Sequence, residues 1–178
     1  MEMSGYCRIA PGHPVHHSYH ATEYGFPQRD ESVLFERLVL EIMQAGLSWE
    51  LVLKRRDGMR TAFDGFDVDR IAAYTEADSA RLLADPAIIR NRLKVAAIIH
   101  NADVVQSLRP SGGFAAWLDS HHPGDKPAWV KLFGKTFKFT GGEIVGEFLM
   151  SLGYLPGAHA DDCPVHAELL AIGPPWSR

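Results

Sequence analysis

Residues 30–56 read DESVLFERLVLEIMQAGLSWELVLKRR, and this stretch sets the helical character of the chain. Asp30 precedes an acidic first turn, and apolar residues then recur at helical spacing over residues 33–43. Gly46 ends this first helix, and Ser48 is a favourable N-cap for a second helix that starts directly after it. The stretch therefore predicts two helices joined by a short turn.

The same signals recur along the rest of the chain. Asp67 predicts the cap of a short helix, and Thr75 opens another helix with a capping-box pattern. Pro86 fits the first turn of a long helix over residues 87–108. The first thirty residues show no clear period and predict loops or short helical pieces. Strand patterns are nearly absent, so the predicted fold class is all-α. Further helices are expected over residues 114–120, 128–134, 143–152 and 165–172.

The length and composition indicate a globular protein. The 178 residues are 46% hydrophobic and 22% charged, which suits one large domain or two small lobes that share a cleft. No apolar run is long enough to span a membrane, and residues 1–5 show no apolar signal region, so we expect a cytoplasmic monomer with no membrane partner. The net charge of −4 argues against a surface that is basic throughout, but it allows a local basic patch.

Both cysteines lie close to histidines in the sequence. Cys7 and His20 are near the amino terminus, and His159 and Cys163 are near the carboxyl terminus with three residues between them. This spacing places the latter two side chains on one face of a helical turn. Two thiolates and two imidazoles suit tetrahedral zinc, and four protein ligands leave no position for a catalytic water. The pattern therefore allows a structural zinc that would clamp the termini together.

The same residues also have a simpler explanation. Two unrelated buried thiols and several surface histidines would give this pattern, because nine histidines make chance pairings easy. His13, His16 and His17 compete as ligands. A structural disulfide is not expected in a chain with the features of a cytosolic protein.

Aromatic residues cluster around a carboxylate in the first long helix. Glu41 lies between Leu40 and Ile42, where a carboxylate must either pair with a cation or face a cavity. The aromatic neighbours expected around it are Tyr19, Tyr24 and Trp49. Such rings would attract a planar cation by stacking and cation–π contact, and the carboxylate would balance its charge. The alternative is an aromatic core that contains an ion-paired glutamate.

Two segments suit contact with DNA. Residues 131–142 join two helical patterns through a turn closed by glycines and include Lys138 and Gly141, as in a helix-hairpin-helix that offers backbone N–H groups to a phosphate. The turn over residues 44–47 carries Leu47, which either wedges into a duplex or folds into the core. The basic clusters over residues 54–60 and 90–94 suit either DNA contact or a solvated face.

Together these features resemble the 3-methyladenine DNA glycosylases of the first (TAG) type. The most specific motif is QAGLSW at residues 44–49, together with the spacing of His159 and Cys163. Further matching segments are distributed along most of the chain, at residues 19–20, 23–27, 34–36, 40–41, 88–92, 94, 101–102, 137–139, 141 and 148–150.

The resemblance implies a single helix-hairpin-helix glycosylase domain over residues 1–178, in which two helical lobes flank a base-binding cleft. It implies a monofunctional base excision repair enzyme that flips 3-methyladenine out of double-stranded DNA and hydrolyses the N-glycosidic bond. The implied residues are Glu41 at the catalytic centre, Tyr19, Tyr24 and Trp49 around the base, Gln44, Gly46, Leu47, Lys138 and Gly141 on the DNA, and Cys7, His20, His159 and Cys163 on structural zinc.

The chain departs from the family pattern at several positions. Ile42 and Met43 replace small and polar residues that follow the pocket glutamate, and Ile9 replaces a tryptophan. Tyr24 stands where the family usually has tryptophan. The alternative function is a non-catalytic or substrate-shifted relative that binds lesions or DNA, with a pocket narrowed by Ile42 and Met43.

Overall fold

The computed structural model describes residues 5–178, and the regular secondary structure in this range is helical. This confirms the predicted all-α class. The α-helices are α1 (Gly5–Ile9), α2 (His17–Thr22), α3 (Glu31–Gln44), α4 (Trp49–Ala62), α5 (Val68–Ala72), α6 (Glu76–Ala84), α7 (Arg92–Ser107), α8 (Gly113–His121), α9 (Lys126–Thr136), α10 (Gly142–Ser151) and α11 (Pro164–Ile172); short 3-10 turns cover Asp64–Phe66, Arg109–Ser111 and Pro175–Ser177.

Helix α3 runs through the centre of the main hydrophobic core. The Asp30 carboxylate accepts a hydrogen bond from the Val33 amide at 3.0 Å, and the Ser48 hydroxyl accepts one from the Leu51 amide at 3.2 Å, so both predicted caps are confirmed. Every residue of α3 from Leu34 to Met43 is buried. Helices α4, α7, α8 and α10 pack around it, which makes α3 the element that positions the site.

Helix α7 begins later than the sequence predicts. Asn91 is its N-cap and accepts a hydrogen bond from the Lys94 amide at 3.1 Å, so the expected start near residue 87 was wrong. The Lys94 ammonium is buried and donates to the carbonyls of Met43 (2.8 Å) and Ala45 (2.7 Å). It therefore satisfies acceptors at the end of α3 and is not free to bind DNA.

Buried ion pairs tie α4 to α3 and to the loop after α2. The Arg56 guanidinium donates to Glu36 at 2.6 Å and holds Glu23 with two bonds of 2.9 and 2.7 Å. Arg60 also donates to Glu36 at 2.9 Å. Arg56 and Arg60 of the basic cluster at residues 54–60 thus stabilise the fold. The two bonds from Arg56 to Glu23 fix the loop that carries Tyr24.

Helices α9 and α10 form a hairpin with a short, well-anchored turn. Asn101 is fully buried, and its amide group both accepts from the Lys138 N–H (2.8 Å) and donates to the Lys138 carbonyl (3.0 Å). The Thr140 hydroxyl donates to the Phe133 carbonyl at 3.2 Å, and Phe139 adopts a left-handed φ of 59°. The turn is therefore held in one conformation by α7 and α9.

The amino-terminal helices pack against the carboxyl-terminal segment. Cys7, Cys163 and Val165 form a small core of their own. Gly25 has a φ of +92°, and a side chain there would lie 2.8 Å from Leu169, so glycine permits this close approach. No helix within residues 5–178 is long and apolar enough to cross a membrane.

Candidate base-binding site and metal centre

Glu41 lies on α3 where the core opens into a cavity. Its side chain is 4% exposed and makes no hydrogen bond or ion pair with any residue that the structure describes. Burial raises its pKa well above the ordinary value, the nearby Glu147 carboxylate adds to the rise, and Arg37 opposes it. The carboxylate is thus an unpartnered acceptor directed into the cavity.

Three aromatic rings predicted from the sequence line this cavity. Tyr19 and Tyr24 are nearly parallel with their centroids 5.6 Å apart, and Trp49 meets Tyr19 edge-on at 5.1 Å. Arg37 lies over the Tyr19 ring at 5.1 Å and also contacts Glu23, which anchors this wall to the α2–α3 loop. The cavity has a volume of about 210 Å³ and is bounded by π-faces and carboxylates.

Sequence reasoning missed two residues of the cavity, Tyr6 and Glu147. Tyr6 meets Tyr24 edge-on at 5.6 Å, and its hydroxyl hydrogen-bonds with His16 Nδ1 at 3.3 Å. Glu147 accepts a hydrogen bond from the Tyr24 hydroxyl at 3.1 Å. A signal for Glu147 was available, because it is a carboxylate amid apolar residues of a helix, as Glu41 is. Tyr6 had no such signal in its own sequence neighbourhood.

Ile42 and Met43 do not narrow the cavity. Both are fully buried members of the main core and are absent from the cavity lining. Successive residues of a helix point in different directions, so the two apolar side chains next to Glu41 pack inward while Glu41 faces the opening. The prediction that Ile42 and Met43 narrow the pocket is therefore wrong.

The predicted DNA-contacting residues surround a second, wider cavity. Gln44, Gly46 and Leu47 line one side of it, and Gly141 of the α9–α10 hairpin lines the other. Its volume is about 510 Å³, and Glu41 and Glu147 lie between it and the smaller cavity. Leu47 is 39% exposed, so the alternative that it folds into the core is wrong.

Lys138 is exposed on the hairpin but does not line this cavity. The structure therefore brings four of the five predicted DNA-contacting residues together around one opening, and Lys138 is not among them.

Cys7, His20, His159 and Cys163 converge as predicted. All four are buried, and their donor atoms lie within 4.8 Å of one another. Cys163 Sγ is 3.6 Å from His159 Nδ1 and 3.8 Å from His20 Nε2, and Cys7 Sγ is 3.8 Å from His159 Nδ1. Tetrahedral zinc with ordinary bond lengths separates sulfur from nitrogen ligands by about 3.5–3.6 Å. The donor set therefore fits zinc.

The surroundings of the two histidines in this cluster favour the neutral imidazole, which is the form that binds a metal. His159 Nε2 hydrogen-bonds with the Tyr24 carbonyl at 2.7 Å, which leaves the Nδ1 lone pair directed at the cysteines. Burial lowers the pKa of His20 to about 4, and the nearby His159 adds to this. Of the competing histidines, His13 and His16 lie apart from this cluster, beside Glu50.

The sequence matches a known family over most of its length. Residues 9–132 match the profile of the methyladenine glycosylase family. The DNA-3-methyladenine glycosylase 1 of Escherichia coli K12 is 44% identical over 99 residues, which are 56% of this chain and 53% of that protein. The DNA-3-methyladenine glycosylase of Haemophilus influenzae is 34% identical over 170 residues, 84% of this chain and 91% of that protein.

Solved structures agree with the sequence matches. A 3-methyladenine DNA glycosylase I (TAG) crystal structure superposes with a TM-score of 0.79 at 35% identity, covering 88% of this chain and 97% of that one. The Staphylococcus aureus TAG enzyme, studied for its recognition of 3-methyladenine, gives 0.79 at 28% identity, covering 91% and 98%. With a family profile and a relative that both cover most of it, this chain belongs to the methyladenine glycosylase family.

Proposed function

We propose that this chain excises 3-methyladenine from DNA by hydrolysing the N-glycosidic bond, and that the small aromatic cavity receives the flipped base. The observation that carries the proposal is Glu41, a buried carboxylate without a partner among the described residues that faces a cavity lined by aromatic rings. A buried polar group without a partner is costly, so such an arrangement favours a ligand that supplies the missing charge and hydrogen-bond donors.

The chemistry of the lesion matches this cavity. A nucleotide methylated at adenine N3 carries a positive charge on its ring, and departure of the base removes that charge. The Glu41 carboxylate would accept hydrogen bonds from the exocyclic amino group and stabilise the cationic ring. Tyr19, Tyr24 and Trp49 would hold the ring by stacking and cation–π attraction. The protein then needs to extrude the nucleotide, bind the base and admit water to the sugar.

The wider cavity is the proposed DNA-binding face. The α9–α10 hairpin would act as a helix-hairpin-helix that presents the amides around Gly141 to a phosphate, with Lys138 beside it. Across the cavity, Leu47 would fill the gap that the extruded nucleotide leaves in the duplex. Gln44, Gly46 and Leu47 line this opening together with Glu41.

Zinc is the metal that we propose for the Cys7, His20, His159 and Cys163 cluster. Four protein donors leave the ion no open position, so its role would be structural. The ion would hold α1 and α2 against the carboxyl-terminal segment, and α2 carries Tyr19 into the base cavity. The metal would therefore support base binding indirectly, by fixing the wall of the cavity.

The proposal is tested by incubating the purified protein with methylated duplex DNA and identifying the released bases by chromatography. We expect release of 3-methyladenine by the wild type and a strong reduction in Glu41→Gln, which keeps the side-chain shape and removes its charge. Glu168→Gln is a matched control because Glu168 is exposed on α11, away from both cavities. A wild type that releases no base would contradict the proposed function and favour a protein that only binds DNA or lesions.

A further inference from the structure

A second carboxylate, Glu147 of α10, faces the same cavity as Glu41. It lines both the base cavity and the wider one, and the Tyr24 hydroxyl donates a 3.1 Å hydrogen bond to its Oε2 atom. No basic side chain within residues 5–178 forms an ion pair with it. The Lys126 ammonium opposes the rise in the pKa of Glu147, but its ion pair, at 3.7 Å, is with Glu143, which precedes Glu147 by one turn of α10. The Glu147 carboxylate is therefore held at the cavity without a neutralising partner.

We infer that Glu147 is a second base-binding carboxylate, which together with Glu41 makes this cavity select a positively charged purine over a neutral purine of the same shape. The inference rests on the proposed function, because it deepens the specificity of the same site. In this inference Glu147 contacts the base directly. Tyr24 forms a wall of the cavity and also orients Glu147 through its hydrogen bond.

The electrostatics of the cavity support this assignment. Two carboxylates that line about 210 Å³ of space repel each other, and burial removes much of the water that would otherwise screen them. Burial raises the pKa of Glu147, and burial together with the Glu147 carboxylate raises that of Glu41. A cationic ring placed between them relieves both the repulsion and the desolvation, whereas a neutral ring relieves neither.

The surrounding groups leave this charge largely uncompensated. Arg37 opposes the charge of Glu41, but its guanidinium is engaged by Glu23 and lies over Tyr19. The hydrogen bond from Tyr24 also ties the carboxylate to one aromatic wall, so the charge and the stacking surface are placed together. A preference for cationic bases then follows from two groups of the cavity, of which sequence reasoning identified one.

Two small probes separate charge from shape. One is 3,9-dimethyladeninium, a permanent cation in which the N9 methyl replaces the sugar and no bond can be cleaved. The other is its neutral 3-deaza analogue, in which carbon replaces ring nitrogen 3. Affinities for both are measured by isothermal titration calorimetry with zinc-loaded protein. The test variant is Glu147→Gln, whose amide oxygen still accepts from Tyr24. The matched control is Glu168→Gln, an exposed glutamate of α11 that lines neither cavity.

The expected result is a change in the affinity ratio of the two probes. Glu147→Gln should weaken binding of the cation about tenfold, corresponding to about 1.4 kcal/mol, and change binding of the neutral analogue less than about twofold. Glu168→Gln should change neither. If Glu147→Gln unfolds, Glu147→Ser gives the same loss of charge with a smaller side chain, and it should lower the ratio in the same direction.

The outcomes distinguish this inference from the proposed function. If the wild type releases 3-methyladenine from DNA but Glu147→Gln keeps the wild-type affinity ratio, the role of Glu147 is wrong and the function stands. If the wild type releases no base, the proposed function is wrong, while a ratio that depends on Glu147 still supports a cavity selective for cations. A merely structural role would weaken both probes equally and would overturn the inference.

Discussion

Replacing Glu41 with glutamine should stabilise the folded protein at neutral and alkaline pH while it removes excision activity. The side chain is 4% exposed and has no hydrogen-bond or ion-pair partner among the residues described. Its charged form is therefore poorly solvated in the folded state, and the charge of Arg37, which forms no ion pair with it, opposes this cost. Glutamine fills the same space without a charge. Removing the ionised group should add about 1–3 kcal/mol to the free energy of unfolding.

The sign of the pH dependence follows from the raised pKa. Below the ordinary value of 4.5, Glu41 is protonated in the folded and the unfolded chain alike, so its ionisation does not affect stability. As the pH rises above 4.5, the unfolded chain loses this proton while the folded protein retains it. The wild type is thus progressively destabilised relative to Glu41→Gln until the folded-state pKa is passed, and the difference is constant above it.

Thermal unfolding followed by circular dichroism measures this difference. At pH 8.5 the melting temperature of Glu41→Gln should exceed that of the wild type by about 2–12 °C, at about 2–4 °C for each kcal/mol. At pH 5.5 the gap should be smaller, and any pH dependence of the metal site cancels because both proteins share it. Glu168→Gln should melt with the wild type. A Glu41→Gln variant that is no more stable than the wild type at pH 8.5 would refute the reasoning and reveal a charged partner for Glu41.

Three further predictions concern the metal, the stacking wall and the hairpin. Cys163→Ser should lower both the zinc content, measured by elemental analysis, and the melting temperature, and an unchanged metal content would contradict the assigned cluster. Trp49→Ala should slow excision by the equivalent of about 1–3 kcal/mol of lost stacking, read from single-turnover rates, and wild-type rates would place the base elsewhere. Lys138→Ala should weaken binding to all DNA sequences alike and flatten the salt dependence by about one unit of slope; an unchanged slope, or a loss confined to one sequence, would remove Lys138 from the phosphate contacts.

The helices and their caps were largely predictable because their signals are local. Asp30 and Ser48 cap the helices that the sequence assigned to them, since a cap needs only a side-chain oxygen and the amide three residues later. The start of α7 was missed because two signals competed. Pro86 suits a first helical turn, but Asn91 provides a cap closer to the apolar residues that α7 buries.

The candidate site was predictable in part. The sequence alone predicts the turn at residues 44–49, the isolated carboxylate of Glu41 and a possible cluster of four metal donors. The sequence could not separate those donors from His13, His16 and His17, because the choice depends on which side chains meet when the chain ends pack together. The distances among the donors in the folded protein make that choice.

The sequence by itself determined an all-helical chain, the caps of its central helices and a glutamate set among apolar residues. Only the tertiary structure decided that Ile42 and Met43 pack inward and that Glu41 meets Tyr6 and Glu147 in one cavity. Glu147 reaches its partner Tyr24 across 123 positions of sequence. Helix periodicity indicates which residues of one helix are buried. Which of its faces borders a cavity depends on how separate helices pack. That packing reduces the exposed apolar area of the whole chain, so it cannot be predicted from one helix alone.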